Sequence, residues 1–551
     1  MADTAATSRR YILWLLAVMA ILWFANLDYR HLAQPDEGRY AEIPREMLAS
    51  GNWVTPRLNG LKYFEKPALQ YWATATAFLF FGEKEWSARL WTALTGFLGI
   101  LIVCFTGWRV FGAQAGLYAG LVSGSSLLYV LAGHIVTLDM GITFFMSLGL
   151  AGFLLAQQPA ASARDNRIWM HIAWTALALA VLSKGLIGLV LPGATLVVYT
   201  LIHRDWALWK RLHLASGLAL FMAISAPWFV AVTLANPEFF GFFFIYEHFG
   251  RFLDMNHGRY HPWWAFVPIL IIGTLPWSTL MLDTLARAWT QRPADKNAFQ
   301  PSRFLFVWIV VIYLFFTLSN SKLPFYILPI FPALALLMGQ RLTQISGKIL
   351  FWHSTLIALL AAVSLAFAPW VARLGSPETP QALYAAYAPW ISAAAAVWLL
   401  GALVSIYLFQ LESVRRGITV IAVSSLLAAQ LLISGFEALS PSYSAYRIAE
   451  QVKPYLKPGG PFYSVGMYDQ TLPFYLKRTF TLVGYQGEMD FGIAQEPQKY
   501  VPDVAAFKQA WLAQPHALAI MPPDIYRQLG QDGLPMRLIA QDTRRVVVAA
   551  P

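Results

Sequence analysis

The sequence predicts a polytopic all-α membrane protein carrying a small α/β domain at its C-terminal end. Three observations predict it. Of the 551 residues, 58% are hydrophobic and only 13% are charged, about half the charged share of a soluble domain. Apolar runs recur along the chain at lengths near the ~20 residues that cross a bilayer. Beyond residue 436 the composition changes: prolines, Lys457-Pro458-Gly459-Gly460 and short β-like runs replace the long apolar stretches. Together these exclude a disordered chain, a nucleic-acid arm and an ordinary soluble enzyme. The formal charge of +11 fits anionic lipid on one side of a membrane or phosphate on the other. A single cysteine, Cys104, allows no intramolecular disulfide and no cysteine-based metal site.

The first run, Tyr11–Leu27, follows Arg9 and Arg10 and lacks a small-residue cleavage site, so it reads as an uncleaved helix. Further runs lie at 86–107, 113–131, 140–156, 168–183, 187–202, 213–234, 263–284, 304–319, 326–340, 349–371, 389–409 and 417–436, which makes about 13 transmembrane helices. The apolar stretch Pro67–Phe81 is ambiguous, and charge resolves it. Basic residues cluster at Arg9/Arg10, Arg109, Arg164/Arg167, Arg204/Lys210/Arg211, Arg287/Arg292/Lys296/Arg303, Arg341/Lys348 and Arg415/Arg416. With thirteen crossings these clusters share one side, the cytoplasmic side of the positive-inside rule. A crossing at 67–81 would split them, so that stretch belongs to an external loop. Residues 1–436 are then a transmembrane domain with external loops at 28–85 and 235–262, and 437–551 form an external α/β domain. Within the tail, Pro461–Val465, Ala517–Met521 and Val546–Ala549 read as strands and Val504–Leu512 as a helix.

Charged residues beside a membrane are costly and tend to be functional. Asp36 opens a segment, Asp36–Leu48, that reads as an interfacial amphipathic helix with Tyr40, Ile43 and Met47 on one face. Asp36 either caps this helix or serves chemistry. Lys66, just before the apolar stretch, either snorkels to headgroups or holds a lipid phosphate. Asp139 stands at the mouth of a span, as a helix cap or a catalytic acid. Arg251, among aromatics, either clamps a phosphate or pairs with Glu247. His248, His257 and His261 share that loop, and Glu65 with His248 is a candidate site for a divalent metal such as zinc. Lys322 and Tyr326, one helical turn apart, are interfacial anchors or phosphate ligands. All of these fall on the external side. Two acids with several cations on one face suggest transfer from or to a lipid phosphate. A transporter would instead carry ionisable groups at mid-membrane, often in repeated halves.

The run from Asp36-Glu37-Gly38-Arg39-Tyr40 to Asn52-Trp53, followed by Tyr63-Phe64-Glu65-Lys66-Pro67, resembles the first external loop of the 4-amino-4-deoxy-L-arabinose lipid A transferases, polytopic glycosyltransferases of the GT-C, protein O-mannosyltransferase-like superfamily. Lys184-Gly185, Glu247-His248-x-x-Arg251-Phe252 and Lys322-Leu323-Pro324-x-Tyr326-Ile327-Leu328 are similar to that family too. The resemblance is close over residues 1 to about 340 and weaker beyond. It implies thirteen helices, a bacterial inner-membrane location and an active site facing the periplasm. It implies an undecaprenyl phosphate-linked aminoarabinose donor, a lipid A phosphate acceptor, and resistance to polymyxin and cationic peptides. It also implies Asp36 and Asp139 as the acids, with Lys66, Arg251, Tyr326 and Lys322 around the donor phosphate. Membrane lipids are expected partners, nucleic acid is not, and the chain is expected to act as a monomer. The alternative is a related GT-C mannosyltransferase acting on protein or another glycolipid.

Overall fold

The computed structural model describes residues 2–250, 261–290, 299–485 and 487–551, with side chains from 11 to 247 in the first stretch. The helices, in order, are α1 (Ala2–Phe24), α2 (Asp36–Ser50), α3 (Leu69–Phe81), α4 (Glu85–Phe111), α5 (Ala113–Ser125), α6 (Leu127–Ala132), α7 (Asp139–Ala156), α8 (Ala163–Lys184), α9 (Ile187–His203), α10 (Leu214–Ala235), α11 (Phe266–Gly273), α12 (Ser278–Thr290), α13 (Pro301–Leu318), α14 (Phe331–Leu342), α15 (Gly347–Phe367), α16 (Gln381–Gln410) and α17 (Val414–Gly435), before the shorter helices of the tail. Helix therefore covers each of the expected apolar runs. Among the described residues, eight helical segments are long and apolar enough to cross a membrane, and a bent pair would make a ninth; Tyr11–Phe24 and Ile187–His203 are shorter apolar helices. The chain is a multi-pass membrane protein.

Two expected spans are not single helices. The run 113–131 breaks at Ser126, whose backbone is extended between α5 and α6. The run 263–284 bends by 110° between Gly273 and Ser278, where Pro276 has no N–H to continue the ladder. The two breaks face each other. The Leu127 amide donates to the Leu275 carbonyl at 3.0 Å, and the Trp277 indole donates to the Ser125 hydroxyl at 2.9 Å. In an apolar medium each freed backbone group needs such a partner.

Several residues of the basic clusters make contacts within the bundle. Arg415 lies over the Tyr11 ring at 4.2 Å. Arg211 donates to the Ala156 carbonyl at 3.0 Å. Arg287 and Arg341 both hold Asp283, at 2.9 and 2.5 Å. The stretch at 67–81 is α3, 13 residues long, or about 20 Å at 1.5 Å per residue, too short to cross. Its end leaves Leu79, Phe80 and Phe81 exposed.

In the first external loop, β1 (Arg57–Leu58) and β2 (Leu61–Lys62) form a hairpin. Its Asn59-Gly60 turn has φ of 54° and 74°, the left-handed backbone that an Asn-Gly pair adopts at low cost. The tail builds one six-stranded sheet in the order β5-β4-β3-β6-β8-β7. Here β3 is Phe462–Val465, β4 Thr481–Val483, β5 Tyr500–Val501, β6 Leu518–Met521, β7 Arg537–Gln541 and β8 Val546–Ala549. The expected strands are β3, β6 and β8, and they are the buried ones. The expected helix is Val504–Ala513. Strands β4 and β5 are too short to show alternation, and β7 is largely exposed.

The largest departure from expectation is α2. It is not an interfacial helix with a solvated polar face: Glu37 to Met47 are all buried. The tail domain folds back over it. Tyr40, Ile43 and Met47 share a core with Ile448, Leu472 and Phe474. Asn59 exchanges hydrogen bonds of 2.8 and 2.7 Å with the backbone of Phe480. Gly38 marks the closest approach, since a Cβ there would lie 2.5 Å from the Gln470 carbonyl oxygen and 2.8 Å from Thr471. Gly38→Ala is therefore expected to destabilise the protein by about 1–3 kcal/mol and to loosen the tail from α2. A lower Tm with faster proteolysis of the tail would show it; an unchanged Tm would contradict the seating described here.

Candidate active site

Helix α2 begins with two acids, Asp36 and Glu37, in its first turn, where the helix macrodipole favours negative charge. Asp36 is a first-turn residue, not an N-cap. Glu37 points inward and is almost completely buried. The Arg89 guanidinium of α4 donates both Nε and Nη2 to its carboxylate, each at 2.9 Å. Arg30 approaches at 3.6 Å. The backbone amides of Ala33 and Val136 donate to it at 3.0 and 3.3 Å. Burial alone would push this carboxyl up; Arg89 and Arg30 overcome it and hold it at about 2. Arg89 also donates to the carbonyls of Leu27, Arg30 and His31. One ion pair thus fixes the start of α2, the end of the α1 connection and the Val136 turn that leads into α7.

That arrangement opens a cavity of about 1100 Å³ beside Asp36 and Asp139. Asp139 is the first residue of α7, and Lys184, the last residue of α8, donates to its carboxylate. The same ammonium sits 4.7 Å from the centre of the Tyr326 ring, a cation–π contact. Arg39 donates to Asp36 at 3.0 Å and pairs with Glu488 of the tail at 2.5 Å. Lys66 follows the β1–β2 hairpin, donates to the Glu65 carbonyl at 2.9 Å and lies 3.6 Å from the buried carboxylate of Glu247. Burial, then Asp36, raises the Tyr40 phenol well above its ordinary value, so Tyr40 faces the cavity as a hydrogen-bond donor. Among the described lining residues are six acids, Asp36, Glu65, Asp139, Glu247, Glu488 and Asp490, against three cations, Arg39, Lys66 and Lys184.

Of the residues singled out from sequence, Asp36, Glu65, Lys66, Asp139 and Tyr326 line this one cavity. Lys322 does not: its ammonium is buried and donates to the Ser319 carbonyl at 2.6 Å, closing its own turn. Arg251 and His257 lie outside the described residues, as does the side chain of His248. His261 is exposed. Among the described residues no three His, Cys, Asp or Glu side chains gather as metal ligands, so only Glu65 of the candidate metal pair has a described position, on the cavity wall.

Sequence reasoning missed two contributors. Lys184 stood in a motif but was not read as part of the site; its position at the end of an apolar span, opposite Asp139, was the available signal. The tail supplies Gly487, Glu488, Asp490 and Phe491 to the wall, with the Phe491 ring 4.0 Å from the Phe242 ring and tilted against it. Nothing local in the sequence marks that contact, which spans some two hundred and fifty residues.

Residues 448–550 match the aminoarabinose transferase C-terminal domain, and residues 8–242 match the dolichyl-phosphate-mannose-protein mannosyltransferase family. The crystal structure of ArnT from Cupriavidus metallidurans bound to undecaprenyl phosphate is 42% identical, with a TM-score of 0.93 over 98% of each chain. The chain belongs to the aminoarabinose transferase family. An undecaprenyl phosphate-alpha-4-amino-4-deoxy-L-arabinose arabinosyl transferase from Edwardsiella ictaluri is 35% identical over 367 residues, and the match spans 64% of this chain and 65% of that protein. An Archaeoglobus fulgidus oligosaccharyltransferase, 14% identical at a TM-score of 0.50 over 85% of this chain and 63% of that one, shares the fold. The aminoarabinose transferase architecture is thus the GT-C fold that the first-loop motif implied.

Two outcomes are expected from the Glu37 network. Glu37→Gln leaves Arg89 buried with its charge uncompensated, and should cost about 3–5 kcal/mol in an unfolding measurement. The pH dependence has a definite sign. The folded carboxyl, at about 2, lies below its ordinary 4.5, so its stabilisation is complete above pH 4.5 and is lost as pH falls towards 2. Thermal unfolding followed across that window should lose part of its acid slope in the variant.

Proposed function

We propose that this protein is an inner-membrane glycosyltransferase that moves 4-amino-4-deoxy-L-arabinose from undecaprenyl phosphate to a phosphate of lipid A, at a site facing the periplasm. This side follows if the chain crosses thirteen times, with 263–284 as a broken span, so that the basic clusters lie in the cytoplasm. The observation that carries the reading is the single cavity joining Asp36, Asp139, Lys66, Lys184 and Tyr326, in a chain that matches an undecaprenyl phosphate-bound ArnT over nearly its whole length.

The charges suit that reaction. The leaving group is a lipid phosphate, and fixed cations that meet its growing negative charge lower the barrier. Lys66 serves this role, with Arg251 and a hydrogen bond from Tyr326. Lys184, engaged with Asp139 and stacked on Tyr326, positions both. The acceptor phosphate is largely ionised near neutral pH and needs little help from a general base. Asp36 then orients the amino sugar or stabilises positive charge at its anomeric carbon, and direct displacement inverts that carbon. The described cavity wall comes from one chain, which fits a monomer. The reading as a mannosyltransferase on protein rests on the match over residues 8–242; the tail match to the aminoarabinose family favours the aminosugar.

Expression in cells lacking lipid A aminoarabinose tests this, with lipid A mass spectra and polymyxin survival as readouts. Wild type should restore both. Lys66→Ala, at equal protein level, should lose about 10²–10³-fold in transfer rate; full activity would remove Lys66 from the phosphate site. Transfer of a hexose mass would favour the mannosyltransferase. Asp36→Asn should lose rate without losing an acid limb of the pH profile. Disappearance of such a limb would instead assign Asp36 as the base.

A further inference from the structure

At the end of α8 farthest from the cavity lies a second feature that the transfer reaction does not use. Arg167 stands 17 residues before Lys184 on this helix, about 25 Å away along the axis. Here α7 and α8 leave an open groove of about 460 Å³, lined by Leu148, Ile168, Ile172 and Thr175, with Arg167 and His171 beside them. Arg167, His171 and Thr175 fall on successive turns of one helix face, so the groove runs about 12 Å from Arg167 towards the middle of the bundle. Its lining is mostly apolar, and its charge sits at one end.

The polar end is held in place. His171 Nδ1 contacts the Arg167 carbonyl at 2.7 Å, and its Nε2 contacts the Ser216 hydroxyl of α10 at 3.1 Å. The His213 ring lies 5.7 Å away and contacts Asn166 at 3.0 Å. The nearest acid, Asp165, is engaged with Ser162 at 2.7 Å. The Arg167 side chain is exposed and has no side-chain partner among the described residues. Arg164 lies one turn away, and Lys210 and Arg211 belong to the same face of the protein. An apolar furrow that faces lipid along its length and ends in an unengaged guanidinium complements a molecule with an acyl chain and an anionic head. Basic recesses between spans on the cytoplasmic side have this chemistry.

We propose that this groove is a binding site for one anionic phospholipid, with its phosphate on Arg167, beside the His171 ring, and an acyl chain along Leu148, Ile168 and Ile172. The site tethers the α7–α8 hairpin to the leaflet opposite the active site. It depends on the membrane setting of the bundle and not on the sugar transferred, so it stands or falls separately from the transferase reading.

Native mass spectrometry of the full-length protein, released from detergent containing equal phosphatidylglycerol and phosphatidylcholine, tests it. Wild type should retain one phosphatidylglycerol in preference to phosphatidylcholine. Arg167→Gln should weaken that binding about fivefold, the effect of one basic residue near an anionic headgroup. Leu148→Trp, which fills the groove without touching the charge, should displace the lipid independently, and it keeps the test intact if Arg167→Gln folds poorly. Equal retention of the two lipids by wild type overturns the proposal, as does undiminished phosphatidylglycerol binding in either variant. Loss of transferase activity in these variants is not expected.

Discussion

The ion pair between Glu37 and Arg89 is the constraint on which the site depends. It is almost completely buried, at about 1% exposure on both sides, and it is saturated with backbone partners. An ion pair in such surroundings contributes little net stability on its own, but its loss leaves an uncompensated charge. Its effect is geometric. Glu37 fixes the first turn of α2 and so the position of Asp36. The Val136 amide that it accepts lies three residues before Asp139. Arg89 reaches three carbonyls of the segment joining α1 to α2. Asp36 and Asp139, far apart in the chain, are held in register through the Glu37 carboxylate.

The same economy explains why α2 is buried on every side. Its hydrophobic face meets the core shared with the tail, and its polar face is matched within the protein instead of by water. Glu42 and Arg45 form a two-pronged pair at 2.6 Å, although burial pushes the Glu42 carboxyl up to about 8. Glu46 accepts the Gly60 amide at 2.8 Å, which ties α2 to the hairpin preceding Lys66. A polar helix sealed between two domains is stable only when its charges are paired, and this pairing makes the tail part of the site wall.

Broken helices serve a similar end inside the bundle. The α5–α6 and α11–α12 breaks would each leave orphan backbone groups in an apolar medium. They stand opposite one another, so each supplies the other's partner. Irregular backbone is tolerated here because it is buried in protein.

The sequence by itself determined the class of the protein, the helical runs, the buried strands of the tail and the first-loop acids and lysine that reach the cavity wall. These are properties of local composition and periodicity: an apolar stretch must enter lipid wherever it sits, and a β3, β6 or β8 strand buried on both faces reads as apolar. Tertiary structure alone decided that α2 is covered, that Lys184 pairs with Asp139, and that Glu488 and Asp490 join the cavity wall. Each depends on contacts between segments tens to hundreds of residues apart. A local pattern reports how a side chain meets solvent and not which distant group replaces that solvent, which is why Asp36–Leu48 reads as an exposed amphipathic helix until the tail is folded over it.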